Sequence, residues 1–420
     1  MIVQVNYIES INRLDFTFQF ENTDRTSFYT SDRKLVTSFK KKCYFILPDD
    51  FNFQQLHPDR LALAILLCCS PFIGKRLWLP FYVSHQFAQI IMSLRNIQMK
   101  YNLKTDDKFV QPLNYKNILS DPNTVPSLCL SMGIDSVAGL LIMPDNTVGV
   151  FLDRIIGLND KDLYRKDCAY HDLSQVSQLR SKQNKIYIVG TNLEYLRKNI
   201  GFMIDITVGV PAILLSNHCN FNSVGYGYSV HHYEHYVNGK LNGYCTGDDS
   251  KFKYHSWNKI FRAAGLNLNM ITMGLTEIGT LKVVLNSQFK DIVAGCIRGC
   301  INKPCMSCNK CYRKILLKYY LLKGNMKANP QVYNKLTRQS CHSLPKVLDL
   351  DTLKFSHAFM TTNYKGTDPF WLAVRNGLSR YRSKFKYLDK WFTGATTCID
   401  SRTYQGIIDN LDKYNIEVVN

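Results

Sequence analysis

Pro126-Ser-Leu-Cys-Leu-Ser131-Met-Gly133-Ile-Asp135-Ser136-Val-Ala-Gly-Leu-Leu141 decides the fold. A short apolar run gives way to small and polar residues and then resumes at helical spacing. That order predicts a strand, a tight turn and a helix start. Backbone N–H groups at such a helix mouth point outward unpaired, and the helix dipole favours an anion there. Gly133 lets the backbone approach closely, and the hydroxyls of Ser131 and Ser136 can donate to phosphate oxygens. Asp135 is out of place beside an anion unless it caps the helix or meets a divalent cation that bridges to the phosphate. The stretch points to phosphate chemistry with a metal. An ordinary strand–turn–helix joint with a Ser/Asp cap fits the same residues.

Downstream, strands and helices alternate. Val148 to Leu152 is an apolar run ending in Asp153-Arg154, and a polar helical stretch continues to about Lys182. Lys185 to Val189 reads as the next strand, broken by Gly190-Thr-Asn192, and Leu193 to Ser216 reads as one or two helices. This rhythm predicts an α/β fold, a parallel sheet flanked by helices. Ligands in such sheets bind at the carboxyl ends of the strands, where Ser131–Ser136, Leu152–Asp153 and Gly190–Asn192 all fall.

Upstream, residues 1–56 alternate apolar and polar in short runs, as an antiparallel sheet or hairpins require. Pro58-Asp59-Arg60 reads as a helix start, and a second helical run spans His85 to about Ile97. Beyond Asn329-Pro330, helices are expected at 368–381, at Lys384–Phe392 and at Tyr404–Tyr414. Three units follow: an N-terminal α+β domain (1–120), a ligand-binding domain (121–325) and a C-terminal helical extension (326–420).

With 420 residues, 45% hydrophobic and 20% charged, the chain is globular, not disordered. The net charge of +19 suits a polyanionic partner or a phosphate-rich substrate, and a merely basic soluble surface equally. The N-terminus lacks an export pattern, so a cytoplasmic location is expected. Lys75, Arg76 and two prolines interrupt the most apolar stretch, Leu61–Tyr82, which excludes a membrane span there.

Fourteen cysteines without an export signal favour metal binding or buried thiols over disulfides. Five crowd into Cys296-Ile-Arg-Gly-Cys300-Ile-Asn-Lys-Pro-Cys305-Met-Ser-Cys308-Asn-Lys-Cys311. Two CxxC units share Cys308, and four thiolates from such loops close around one tetrahedral zinc at about 2.3 Å each. An iron–sulfur cluster is the rival. Cys300 is an alternative to Cys296. Residues 217–256, rich in Asn, Gly and aromatics, read as a surface loop suited to a flat heterocycle. Within it His231, His232 and His235 form a weaker metal candidate.

Ser131-Met-Gly133-Ile-Asp135-Ser136 resembles the SGGxDS pyrophosphate loop of the ATP pyrophosphatase superfamily, with Met132 in place of the second Gly. A side chain at that position is expected to narrow the phosphate cradle. Gly190-Thr-Asn192 resembles the G-R-N turn of the 7-cyano-7-deazaguanine synthases of that superfamily, with Thr191 for Arg. The spacing C-x8-C-x2-C-x2-C is similar to the zinc site of those synthases. The resemblance covers residues 121–325 and implies an ATP-dependent carbon–nitrogen ligase or synthase using Mg²⁺ and structural Zn²⁺. In that family a ring carboxylate attacks the ATP α-phosphate, ammonia displaces AMP to give an amide, and a second activation dehydrates it to a nitrile. The implied nucleotide-binding residues are Ser131, Met132, Gly133, Ile134, Asp135, Ser136, Leu152, Asp153, Gly190 and Asn192. Asp135 and Ser136 are the implied catalytic pair, and Cys296, Cys305, Cys308 and Cys311 the zinc ligands. A carboxylate-bearing acceptor is implied, with a tRNA or protein acceptor as a diverged role and a non-catalytic nucleotide-binding protein as the third reading. A homo-oligomer is compatible with the C-terminal extension.

Overall fold

Residues 1–29, 35–36, 40–101, 110–155, 166–180, 185–197, 200–229, 236–237, 240–241, 254–291, 299–301, 305, 309–323, 356–357, 359–362, 364–379 and 388–419 are described by a computed structural model. The alternating N-terminal runs form β1 (Ile2–Ile8), β2 (Arg13–Gln19) and β5 (Lys42–Ile46), which pair antiparallel in the order β1-β2-β5. A two-stranded ribbon, β3 (Phe28–Tyr29) with β4 (Leu35–Val36), lies between β2 and β5 in the chain. Helix α1 (Pro58–Cys69) starts where Pro at the first helical position predicts, with the His57 side chain accepting from the Asp59 N–H. β6 (Arg76–Leu79), α2 (His85–Arg95), β7 (Gln98–Tyr101) and α3 (Tyr115–Ser120) follow.

The deciding stretch folds as its pattern predicts, into β8 (Val125–Leu130) and α4 (Ile134–Ile142). β8 is buried at every position but the first, as a strand covered on both faces requires. The alternation continues through β9 (Val148–Arg154), α5 (Lys166–Arg180), β10 (Ile186–Thr191), α6 (Val210–Leu214) and β11 (Phe221–Tyr226). A small ribbon, β12 (Tyr236–Val237) with β13 (Lys240–Leu241), precedes α7 (Tyr254–Ala263), β14 (Asn267–Met270) and α8 (Glu277–Leu285). Later come α9 (Asn309–Lys323), α10 (Pro369–Gly377), β15 (Trp391–Phe392), α11 (Ser401–Leu411) and β16 (Val418–Val419).

Ten strands make one sheet in the order β14-β11-β8-β9-β10-β5-β2-β1-β6-β7. The five from β14 to β10 are parallel, and β10 meets β5 antiparallel at Gly190–Ile46 and Thr191–Phe45. The sheet therefore runs unbroken across residue 120. α4 packs with α8 and α11 on one face, and α6 with α1 on the other, giving a largely parallel α/β architecture. The chain leaves β8 towards β9 and β10, then returns to the other side of β8 as β11 and β14. The direction of winding thus reverses between β8 and β11, and the crevice at that reversal is where such sheets bind ligands.

Two sequence expectations change. Phe221–Tyr226, read as part of a surface loop, is the buried central strand β11. Its polar residues are satisfied inside: Asn222 Nδ2 donates to Thr124 Oγ1 at 3.1 Å, and Ser223 Oγ donates to Asn222 Oδ1 at 2.9 Å. Trp391–Phe392, read as the end of a helix, pairs in parallel with β16 because Trp391 is fully buried against Gly274. The C-terminal residues are fastened to the parallel sheet's helices: Asn410 Nδ2 donates to the carbonyls at the end of α4, Ile142 at 3.2 Å and Met143 at 2.9 Å. Among the described residues no helix is long and apolar enough to cross a membrane.

Candidate functional site

The turn between β8 and α4 is braced by its own hydroxyls. Ser131 N–H donates to Ser136 Oγ at 3.3 Å, and Ser136 Oγ donates to the Gly133 carbonyl at 2.9 Å. Gly133 N–H reaches Ser131 Oγ at 3.4 Å. Gly133 is the N-cap of α4, and no side chain caps the helix, so its first turn presents backbone donors and the positive end of the dipole.

Met132 adopts φ +56°, in the left-handed region. Among the described residues the other four non-glycine positions with positive φ are all asparagines, which tolerate that region; a methionine there stores about 1–2 kcal/mol of strain. The glycine of the pyrophosphate-loop pattern has a physical reason to stand at this place. Met132 is only 3% exposed and belongs to the apolar core, so the side chain is packed away and does not narrow the mouth of the turn.

Asp135 does not cap α4. Its carboxylate accepts from Thr280 Oγ1 at 2.7 Å and from Lys314 Nζ at 2.9 Å, and Lys314 Nζ also lies 3.7 Å from Glu277 Oε1. Lys314 and Glu277 are buried, while the Asp135 side chain keeps 31% exposure at the mouth. Three helices thus converge: α4 supplies Asp135, α8 supplies Glu277 and Thr280, and α9 supplies Lys314. The Lys314 ammonium thus bridges the carboxylates of α4 and α8. Sequence reading missed all three partners. Glu277 and Thr280 stand at i and i+3 on one helix face, a local spacing that gives no sign of their meeting Asp135 and Lys314.

β11 closes the other side. A β-carbon on Gly227 would lie 2.7 Å from Ser136 Cα and 2.8 Å from the Asp135 carbonyl oxygen, so only glycine fits beside the turn. Burial pushes the Tyr226 phenol and the Cys129 thiol, paired across β11 and β8, well up, so both stay neutral and unreactive.

Leu152 and Asp153 follow directly on Phe151, which pairs with Leu130 just before the turn, and Asp153 pairs with Gly190. Leu152 is buried and pairs with Val189. Thr191 and Asn192 are committed elsewhere: Thr191 Oγ1 donates to the Tyr44 carbonyl at 2.7 Å, and Asn192 Oδ1 accepts from the Tyr44 N–H at 2.9 Å. They tie β10 to β5, whereas the turn at 131–136 meets α8 and α9 through Asp135.

Of the cysteine set, Cys305 and Cys311 are described, with Sγ atoms 3.7 Å apart. Two ligands of a tetrahedral zinc at about 2.3 Å are separated by about 3.8 Å, so this pair fits one edge of such a site. Cys296 and Cys308 lie outside the described residues, as do His231, His232 and His235; Cys300 is exposed. Among the described residues no group of three metal-ligating side chains converges.

A separate cavity of about 810 Å³ is lined by Arg25, Arg95, Glu194, Arg197, Asp205 and Trp257 together with apolar neighbours, and contains no residue of 131–136. Arg95 stacks over Trp257 at 4.1 Å in the last turn of α2, where it offsets the helix dipole.

Residues 256–418 match the model of a family of unknown function, DUF6395. The matched region carries Glu277, Thr280, Cys305, Cys311 and Lys314, and excludes the turn at 131–136. No curated protein matches the chain. No solved structure matches it either.

Proposed function

We propose that the chain is an ATP-dependent synthase or ligase that adenylates a carboxylate or carbonyl and releases pyrophosphate, similar to the 7-cyano-7-deazaguanine synthases. One observation carries the reading: the Ser131–Ser136 turn lies at the reversal point of a parallel sheet, pressed against Gly227, with Asp135 held by Thr280 and Lys314. The open N-terminus of α4 receives the β- and γ-phosphates through backbone N–H groups. An acceptor oxygen attacks the α-phosphorus, the bond to the β-phosphate oxygen breaks, and pyrophosphate leaves with that electron pair. Ammonia or an amine then displaces AMP. Positioning and electrostatics supply the catalysis, consistent with the neutral Tyr226 and Cys129.

The Asp135 carboxylate keeps 31% exposure at the mouth of the turn, and carboxylate oxygens are the ligands Mg²⁺ takes, so this side chain fits the ion. Bound Mg²⁺ would neutralise charge developing on the phosphates. Cys305 and Cys311, completed by Cys296 and Cys308, are the proposed structural zinc ligands, fastening the start of α9. The net charge of +19 favours a second reading in which the acceptor is a tRNA. Pyrophosphate release from ATP, assayed with small heterocyclic acids and with tRNA as acceptors, tests both. Release with neither acceptor, despite bound ATP, would leave a nucleotide-binding protein.

A further inference from the structure

We infer that Lys314 is a positioning residue through which the Cys305–Cys311 thiol pair is coupled to the nucleotide turn; the inference rests on the reading proposed above. Cys311 lies in the first turn of α9 and Lys314 one turn later on the same face, both buried. The Lys314 ammonium is clamped between Asp135, 2.9 Å away on α4, and Glu277, 3.7 Å away on α8. A lysine loses much rotamer freedom on burial, so this reach depends on a fixed helix start beneath it.

The described first turn of α9 carries no acidic residue to complement its dipole. Cys305 and Cys311 held by a metal ion pin that turn, and closing the site with the four thiolates proposed above would give it the net negative charge that the helix dipole favours there. Release of the thiols frees the first turn of α9, and Lys314 with it. Asp135 then loses its buried counter-charge, and the turn that receives the phosphates loses its register. Because such coupling is reciprocal, nucleotide at the turn must in turn hold the metal more firmly.

The test uses the full chain as purified. Zinc content is measured, and the dissociation constant of α,β-methylene-ATP with Mg²⁺ is determined before and after stripping with a chelator, in wild type and in Lys314→Met. Stripping is expected to weaken wild-type binding by about fivefold or more and to leave Lys314→Met binding unchanged. Saturating nucleotide is expected to slow zinc loss by a similar factor in wild type only. Lys314→Arg, which keeps the charge and the reach, restores part of the response and serves if Lys314→Met does not fold. Equal responses in wild type and variant, or a protein that holds no zinc when supplied with it, overturn the coupling. A wild type that binds no nucleotide overturns the underlying reading as well, whereas nucleotide binding indifferent to zinc overturns the coupling alone.

Discussion

Gly227 lies against Ser136 so closely that any β-carbon on it would stand 2.7 Å from the Ser136 Cα. The three nearest atoms are all backbone, at 2.7–2.8 Å, so no side-chain rotation relieves the clash. Gly227→Ala must push β11 and the turn apart. A stability loss of about 1–3 kcal/mol is expected by thermal or denaturant unfolding, with at least tenfold weaker binding of ATP and Mg²⁺. Gly133→Ala is the contrast: its β-carbon meets only Ser131 Oγ at 3.3 Å, and stability should change by about 0.5 kcal/mol or less.

Met132→Gly sets two opposing effects against each other. Relief of the left-handed backbone gains about 1–2 kcal/mol, while loss of a core methionine costs about 2–5 kcal/mol. Net destabilisation is expected in denaturant unfolding. Nucleotide affinity should stay within about threefold, since the side chain is packed in the core. A gain of tenfold or more would show that Met132 obstructs the cradle after all.

His57 makes part of the fold acid-sensitive. Its Nδ1 accepts from the Asp59 N–H at 3.2 Å, and its Nε2 lies 3.0 Å from the Gln111 carbonyl, an arrangement only the neutral ring satisfies. Burial lowers its pKa below the ordinary value, outweighing the opposing pull of Asp59. With the folded pKa depressed, the unfolded chain takes up the proton first. The contribution is therefore present above the ordinary histidine pKa of about 6.5 and is lost as pH falls through the folded value. Unfolding measured from pH 7.5 down to pH 5.5 should show stability falling, and His57→Asn, which keeps a cap acceptor without titrating, should flatten that slope. An unchanged slope in the variant would assign the effect to another group.

The strand–turn–helix at 125–142 was legible because its apolar run stops at the residues that make the turn. β9 and β10 were legible for the same local reason. β11 was not, because Asn222, Ser223 and Gly225 look like loop residues until Thr124 and β8 provide their partners. The pairing of Ile46 with Gly190, which joins the front strands to the parallel sheet, leaves no mark in either segment alone. In the site, the turn was readable from residue types. Its partners Thr280, Glu277 and Lys314 were hidden, because helices distant in sequence bring them to Asp135.

The most direct test is calorimetric titration of the purified chain with ATP and Mg²⁺, wild type beside Asp135→Asn. The account predicts saturable, metal-dependent binding to wild type and a loss of at least tenfold in the variant, with the fold retained by circular dichroism. No binding to wild type, or equal binding to both proteins, would contradict the claim that residues 131–136 grip a nucleoside triphosphate.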